Sequence, residues 1–165
     1  MTTLSRFAVL AAAAILAGCS AMALVRLEPG KSSEADVRAV LGEPAGGYAN
    51  PDGTRQLAFP TGPAGMQTYM AYFSPDGRLA RLGQVLTEEQ FRRIETGTTN
   101  REQVERLIGP PWRMIAFPNK GQVAWDYRFR DAWGYLAEFS VMVDERGVVA
   151  ETVTVRVMLD RGERD

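Results

Sequence analysis

The chain has 165 residues, of which 45% are hydrophobic, and a formal net charge of −1. This length fits one domain or two small ones, and the apolar content argues against disorder. Nucleic-acid binding usually requires an excess of positive charge, which this chain lacks, so we expect no nucleic-acid partner. The absence of His and the single Cys exclude an intrachain disulfide, a His- or Cys-based metal cluster and any imidazole-dependent triad.

The first 18 residues have the pattern of a targeting segment. The apolar run Phe7–Ala17 is too short to span a bilayer as a helix. It leads into the letters LAGC, which resemble the bacterial lipobox. That resemblance implies cleavage before Cys19 and lipid attachment at Cys19. Ser20 after the cysteine resembles the sorting signal of lipoproteins that go to the outer membrane. The alternative is an ordinary signal peptide followed by an incidental cysteine.

A short tether over residues 19–26 is expected to join the lipid to the folded part. Seven residues, 20–26, separate Cys19 from the first structured segment. Even fully extended, they reach roughly 25–30 Å. We therefore expect the folded part to lie close to the bilayer.

Two similar segments, Leu27–Pro44 and Ile94–Pro111, organise the rest of the chain and align without a gap at an offset of 67. In each, apolar residues recur at helical spacing before a Gly-x-Pro motif. In the second copy, Thr99 and Glu102 are predicted to form a capping box, and Gly109 to end the helix. Neither segment can bury its own apolar face, so each should begin a larger unit.

After each segment the periodicity changes from that of a helix to that of strands. The predicted strands surround Leu57–Phe59, Thr68–Phe73 and Arg78–Val85 in the first half, and Trp125–Phe129, Ala137–Val143 and Val149–Val157 in the second. Thr87 and Gln90 predict a further short helix ahead of the second segment. The order helix, helix, strand, strand, strand thus occurs twice. It predicts an α+β fold with two tandem modules, whose antiparallel sheets are each covered by short helices.

The predicted modules cover residues 27–85 and 86–158, and a charged tail covers 159–165. The second module contains a pattern of Gly, Pro and aromatic residues: Leu86, Thr87, Ile94, Gly97, Thr99, Val104, Gly109, Pro111, Trp125, Tyr127, Phe129, Arg130, Phe139, Gly147, Val148 and Val149. On these residues the module resembles the SmpA/OmlA (BamE-like) family of outer-membrane lipoproteins. Residues 27–82 resemble a weaker copy, and the pair also resembles the tandem β-lactamase-inhibitor fold.

The resemblance implies a lipid-anchored outer-membrane protein that faces the periplasm and is not an enzyme. It implies a binding or scaffolding subunit whose partner is an envelope protein, such as the β-barrel assembly complex. Two alternatives stay open: an inhibitor-like or scaffolding module for another periplasmic protein, and a small envelope hydrolase.

Four residues are candidates for partner binding: Trp112, Arg130, Trp133 and Tyr135. Trp, Tyr and Arg together at loops are typical of protein-contact hot spots. Near a membrane the same residues could rest among lipid headgroups, and they could also simply anchor loops. By contrast, the aromatic residues of Trp125–Phe129 alternate with Asp126 and Arg128, which predicts a half-buried strand with the aromatic side chains in the core.

No group of residues in the sequence favours a catalytic site or a metal-binding site. The candidate carboxylates are Glu88, Glu89, Glu138, Asp144, Glu145 and Asp160, and helix starts, strand faces or turns explain each of them. The Gly-rich stretch 60–65 lacks the lysine and flanking helix of a phosphate-binding loop. We therefore expect no catalytic residue, no cofactor, no metal and no small-molecule substrate.

Overall fold

The computed structural model describes residues 24, 26–62 and 65–157. They form an α+β fold with two four-stranded antiparallel sheets. The first half contains α1 (Glu34–Leu41), β1 (Gly46–Ala49), β2 (Arg55–Thr61), β3 (Gln67–Phe73) and β4 (Leu79–Gln84). The second contains α2 (Glu88–Phe91), α3 (Arg101–Ile108), β5 (Arg113–Phe117), β6 (Gln122–Arg130), β7 (Leu136–Asp144) and β8 (Val149–Arg156). Each sheet is a meander in which consecutive strands are neighbours.

Each sheet has one strand more than predicted. β1 begins at the glycine pair Gly46-Gly47, and β5 directly follows Pro110-Pro111 and Trp112. Every residue of β5 is exposed. An edge strand without a buried face carries no alternating apolar signal, so its sequence could not reveal it. The prediction of three strands per module is therefore wrong.

The predicted capping box of α3 is displaced by one residue. Asn100 is the N-cap: its Oδ1 accepts from the backbone N–H of Gln103 at 3.0 Å, and Gln103 Oε1 accepts from the N–H of Asn100 at 2.8 Å. The Thr99 hydroxyl instead accepts from the backbone N–H of Glu95 at 2.8 Å. The C-terminal prediction is confirmed, because Gly109 is the C-cap with φ +82°.

The two halves repeat the same backbone contacts. Helix α3, Arg101–Ile108, begins and ends 67 positions after α1, Glu34–Leu41. The N–H of Gly30 donates to the carbonyl of Leu79 at 2.7 Å, and that of Gly97 donates to the carbonyl of Val149 at 2.7 Å. These equivalences are consistent with a tandem of two modules. A counterpart of α2 in the first half would fall on residues 21–24, nearly all of which lie outside the described residues.

Each sheet packs one face against its own helix. Val37 of α1 is fully buried in the first core, together with Leu57, Phe59, Ala71, Phe73 and Leu79. The second core contains Leu86, Phe91, Ile94, Val104, Ile108, Trp125, Tyr127, Phe129, Ala137, Phe139, Val141, Val143 and Val149. Phe91 of α2 stacks on the ring of Phe139, with 4.0 Å between the centroids. The alternation of β6 therefore has the predicted result, with its aromatic side chains in the core.

Helix α3 lies between the two sheets and joins them. Its apolar side packs on the second sheet, and its other side contacts the opposite face of the first. The guanidinium group of Arg106 donates to Asn50 Oδ1 at 3.0 Å and to the carbonyl of Ala49 at 3.1 Å. A Cβ placed on Gly109 would lie 2.9 Å from Thr68 Cγ2, which shows how closely the helix end approaches β3. The first sheet is thus covered on both faces.

Candidate partner-binding site

The β6–β7 loop, residues 131–135, is held in one conformation by the carboxylate of Asp131. Its Oδ1 accepts from the backbone N–H groups of Trp133 and Tyr135, both at 2.9 Å. Its Oδ2 accepts from Nε and Nη2 of Arg156 on β8, at 2.9 and 2.5 Å. The Asp131 side chain is consequently only 7% exposed, although the loop lies at the surface. These contacts tie the backbone of the loop to β8.

Two arginines complete the loop. Arg130 Nη1 donates to the carbonyl of Gly134 at 2.9 Å, and the guanidinium carbon of Arg156 lies 4.6 Å from the centroid of the Tyr135 ring. Burial raises the pKa of Asp131, but the hydrogen bonds from Arg156, Tyr135 and Trp133 together lower it more, so the pKa of this carboxyl lies below its ordinary value. The carboxylate that orders the loop therefore remains ionised at neutral pH.

The fixed backbone presents two aromatic side chains to solvent. Trp133 is 81% exposed and Tyr135 is 57% exposed, whereas Trp125 and Tyr127 on β6 are 7% and 1% exposed. The prediction that the aromatic residues of β6 are buried is confirmed, and the structure adds that the two loop aromatics are exposed. A large indole held out on an ordered loop loses little conformational entropy on binding, which is the property of a contact hot spot.

The fourth candidate, Trp112, has a different environment. Two guanidinium groups of its own chain contact its ring, with Arg128 at 3.8 Å and Arg113 at 4.7 Å from the ring centroid. Trp112 is 37% exposed, so one part of the ring is occupied and the rest remains accessible. The structure therefore brings Arg130, at the end of β6, together with Trp133 and Tyr135 of the β6–β7 loop, and gives Trp112 intramolecular cation–π contacts.

Asp126 is a polar residue whose role the sequence did not reveal. Alternation puts it on the face of β6 expected to meet solvent, yet its side chain is 5% exposed. Arg113 Nε and Nη2 donate to Asp126 Oδ2 at 3.0 and 2.7 Å, and Ser140 Oγ donates to Oδ1 at 2.7 Å. Arg113 belongs to the unpredicted β5, so only the strand pairing brings this partner to Asp126. The carboxylate of Asp126 is thus buried, whereas the guanidinium group of Arg113 is 41% exposed and also contacts the ring of Trp112.

Two of the carboxylates considered for chemistry, Glu138 and Asp144, have structural partners. Glu138 pairs with Arg128, with 3.1 Å between Oε1 and Nε. Backbone hydrogen bonding from Val148, the largest cause, and the nearby Arg146 hold the pKa of Asp144 below its ordinary value, although burial opposes them. Within residues 24, 26–62 and 65–157 there is no group of three or more His, Cys, Asp or Glu placed to hold a metal ion. Asp160 lies outside the described part of the chain.

The predicted signal peptide, the lipid-attachment residue Cys19 and the charged tail also lie outside the described residues, as does most of the tether over residues 19–26. Among the helices that the structure describes, none is long and apolar enough to cross a membrane.

Comparison with known proteins gives one match. No family model matches the chain, and no curated protein matches it. The chain is similar to a solved structure of a DUF4309 family protein (YjgB) from Bacillus subtilis. The similarity has 17% sequence identity and a TM-score of 0.32, and it covers 80% of this chain and 83% of that chain.

Proposed function

We propose that this chain is a non-enzymatic binding or scaffolding subunit, anchored in the outer membrane by a lipid on Cys19 and facing the periplasm. We further propose that its two halves are SmpA/OmlA-like modules and that it binds an envelope protein of, or allied to, the β-barrel assembly machinery. The β6–β7 loop is the proposed contact site, with Arg130, Trp133 and Tyr135 as its central residues.

The observation that carries this proposal is the exposed indole of Trp133 on a loop that is already ordered. Asp131 accepts four hydrogen bonds that fix the loop, while Trp133 itself remains 81% exposed. Nothing in the core requires so large an apolar group in this position. A fixed aromatic residue with adjacent arginines favours recognition of another protein through a small, preorganised patch.

Site-specific crosslinking in cells tests the contact. A photoreactive phenylalanine analogue at position 133 should form a crosslink to one envelope protein, identified by mass spectrometry. The matched control carries the analogue at Arg146, whose side chain is 81% exposed on the β7–β8 turn. A barrel-assembly component captured only from position 133 would support the proposal. Equal capture from both positions, or a single partner unrelated to barrel assembly, would contradict it.

Metabolic labelling tests the anchor. The parent chain should incorporate radiolabelled palmitate and sediment with outer membranes. Cys19→Ser should abolish the label and leave a precursor that no longer sediments there, because several acyl chains are needed for stable anchoring. Equal labelling of the parent and Cys19→Ser would rule out lipidation at this residue.

A further inference from the structure

The two modules meet where a helix packs on a sheet. Each sheet has an outer face, which we define as the side turned away from its own core, and α3 packs on the outer face of the first sheet beside β1. The guanidinium group of Arg106 donates to Asn50 Oδ1 at 3.0 Å. A Cβ placed on Gly46 would lie 3.6 Å from Pro110 Cδ. These two contacts show where the helix crosses the edge of the sheet.

Both halves of this contact occur a second time in the chain, and there they are exposed. Helix α1 corresponds to α3, and β1 corresponds to β5, at the same offset of 67 positions. Helix α1 packs one side on the first core, while Ala35, Ala39 and its C-cap Gly42 are exposed. On β5, Ile115 and Phe117 are 37% and 39% exposed.

The strand register places Ile115 and Phe117 on the outer face of the second sheet. Residues directly opposite each other in an antiparallel pair have their side chains on the same face. Met114 lies opposite Trp125, which belongs to the core. Ile115 lies opposite Ala124 and therefore on the other side of the sheet, and Phe117 shares that side. The face that corresponds to the surface bound by α3 thus carries two exposed apolar side chains.

The exposed helix and the exposed sheet face both differ from the contact between the modules, and the differences match. Arg106 and Asn50 form a polar pair in that contact, and they correspond to Ala39 and Phe117. The polar pair is thus replaced by a small apolar residue on the helix and a large one on the sheet. Stacked repeats usually end in modules whose outer faces are polar. Apolar residues at both ends are instead expected where a further module stacks.

A second pair of corresponding positions carries opposite charges at the two ends. Pro110 and Gly46 correspond to Glu43 and Arg113. Glu43 contacts Arg38 of α1, yet its side chain is 83% exposed, and that of Arg113 is 41% exposed. The two surfaces are therefore complementary in charge at this position. Because these side chains are larger, α1 would lie farther from the sheet than α3 does.

We propose that the exposed side of α1 binds the outer face of the second sheet in a second copy of this chain. The contact repeats that of α3 with the first sheet, with Ala39 of one copy against Phe117 of the next and Glu43 paired with Arg113. Two different surfaces meet, so copies are added head to tail. This inference requires neither the lipid anchor nor the β6–β7 loop.

Residues 158–165 of the same chain cannot provide the apolar cover. The chain leaves the second sheet at β8, which lies three strands from β5, or roughly 14 Å across the sheet. The apolar residues after Val157 are Met158 and Leu159, and together they extend about 7 Å at most. The letters that follow, DRGERD, contain no apolar side chain that could cover Phe117.

Thiol crosslinking of the full chain tests which surfaces meet. Cys19→Ser removes the single native thiol, and Ala39→Cys and Phe117→Cys are then made in separate chains with different tags. With a short bismaleimide, the mixed chains should form a dimer that contains both tags, and neither chain alone should form one. Arg146→Cys, at a side chain that is 81% exposed, replaces Ala39→Cys as the matched control. Absence of the mixed dimer, dimers of one variant alone, or equal yields from the control would overturn the proposal.

Sedimentation velocity over a concentration series tests the direction of assembly. Ala39→Arg and Phe117→Glu should each weaken association by roughly ten-fold or more with an unchanged melting temperature, because each puts an unpaired charge into the contact. Arg146→Glu is the control and should associate as the parent does. An equimolar mixture of Ala39→Arg and Phe117→Glu should form dimers and nothing larger, since each variant keeps one intact surface.

Two results would refute the assembly. One is a parent chain that stays monomeric at every concentration, and the other is a mixture of the two variants that stays monomeric while the parent associates. Neither result would affect crosslinking from position 133.

Discussion

The side-chain amide of Gln56 donates a hydrogen bond of 2.7 Å to the backbone carbonyl of Arg106, across the junction between the first sheet and α3. That carbonyl lies in the last turn of the helix. Its usual donor would be the N–H four residues on, at position 110, which is a proline and has none. A polar side chain of the first module therefore satisfies an acceptor that the second module's helix cannot satisfy itself.

This relationship predicts the effect of Gln56→Met. Gln56 is 7% exposed, so the variant leaves the Arg106 carbonyl without that donor in a buried place. We expect the free energy of unfolding to fall by about 1–3 kcal/mol. Gln67→Met, at an exposed position on β3, is the control and should change it by less than about 0.5 kcal/mol. Urea denaturation measures both, and equal effects would show that the bond contributes nothing.

The two helix-ending glycines should differ in their tolerance of alanine. Gly42 and Gly109 have φ values of +83° and +82°, so Ala at either should cost about 1 kcal/mol. A Cβ on Gly42 would meet nothing within 4 Å, whereas one on Gly109 would lie 2.9 Å from Thr68 Cγ2 and 3.3 Å from Ala58 Cβ. Gly109→Ala should therefore cost roughly 1–3 kcal/mol more. Thermal melts that give equal losses would contradict the close approach of α3 to β3.

Two tryptophans of the same module should behave in opposite ways. Trp125→Ala should destabilise the fold by about 3–5 kcal/mol, because it opens a cavity in the second core. Trp133→Ala should change stability by less than about 0.5 kcal/mol, since the side chain is 81% exposed. Combined with Arg130→Ala, it should weaken capture of the partner by about 2 kcal/mol or more. A melt lowered by Trp133→Ala would show that its indole supports the fold.

The order of the β6–β7 loop should depend on pH through Asp131. Because its pKa in the folded chain is lowered from the ordinary 3.8, the ionised carboxylate contributes stability above that value. The contribution should be lost as the pH falls through the folded pKa, below 3.8. The amide chemical shifts of Trp133 and Tyr135 should report this transition in NMR spectra. Asp131→Asn should remove it and speed amide exchange in the loop, while a midpoint above 3.8 would reverse the assigned sign.

Features that depend on neighbouring residues could be predicted from the sequence. The helix ends at Gly42 and Gly109, the strand character of β6 and the core position of Trp125 all follow from local spacing and backbone chemistry. The loop position of Trp133 also follows from the sequence, but its 81% exposure comes from the structure, because the sequence left open that it anchors the loop. The recurrence of one segment at a fixed offset also indicated two similar halves.

Other features follow only from the tertiary structure, because they depend on contacts between residues that are distant along the chain. β5 is a strand because β6 supplies its hydrogen bonds, and Asp126 is buried because β5 brings Arg113 beside it. Helix α3 satisfies its last turn with Gln56, fifty residues earlier. The periodicity of a segment predicts which face each side chain occupies. It does not predict which residue lies opposite, because strand pairing and core packing join residues that are far apart in the sequence.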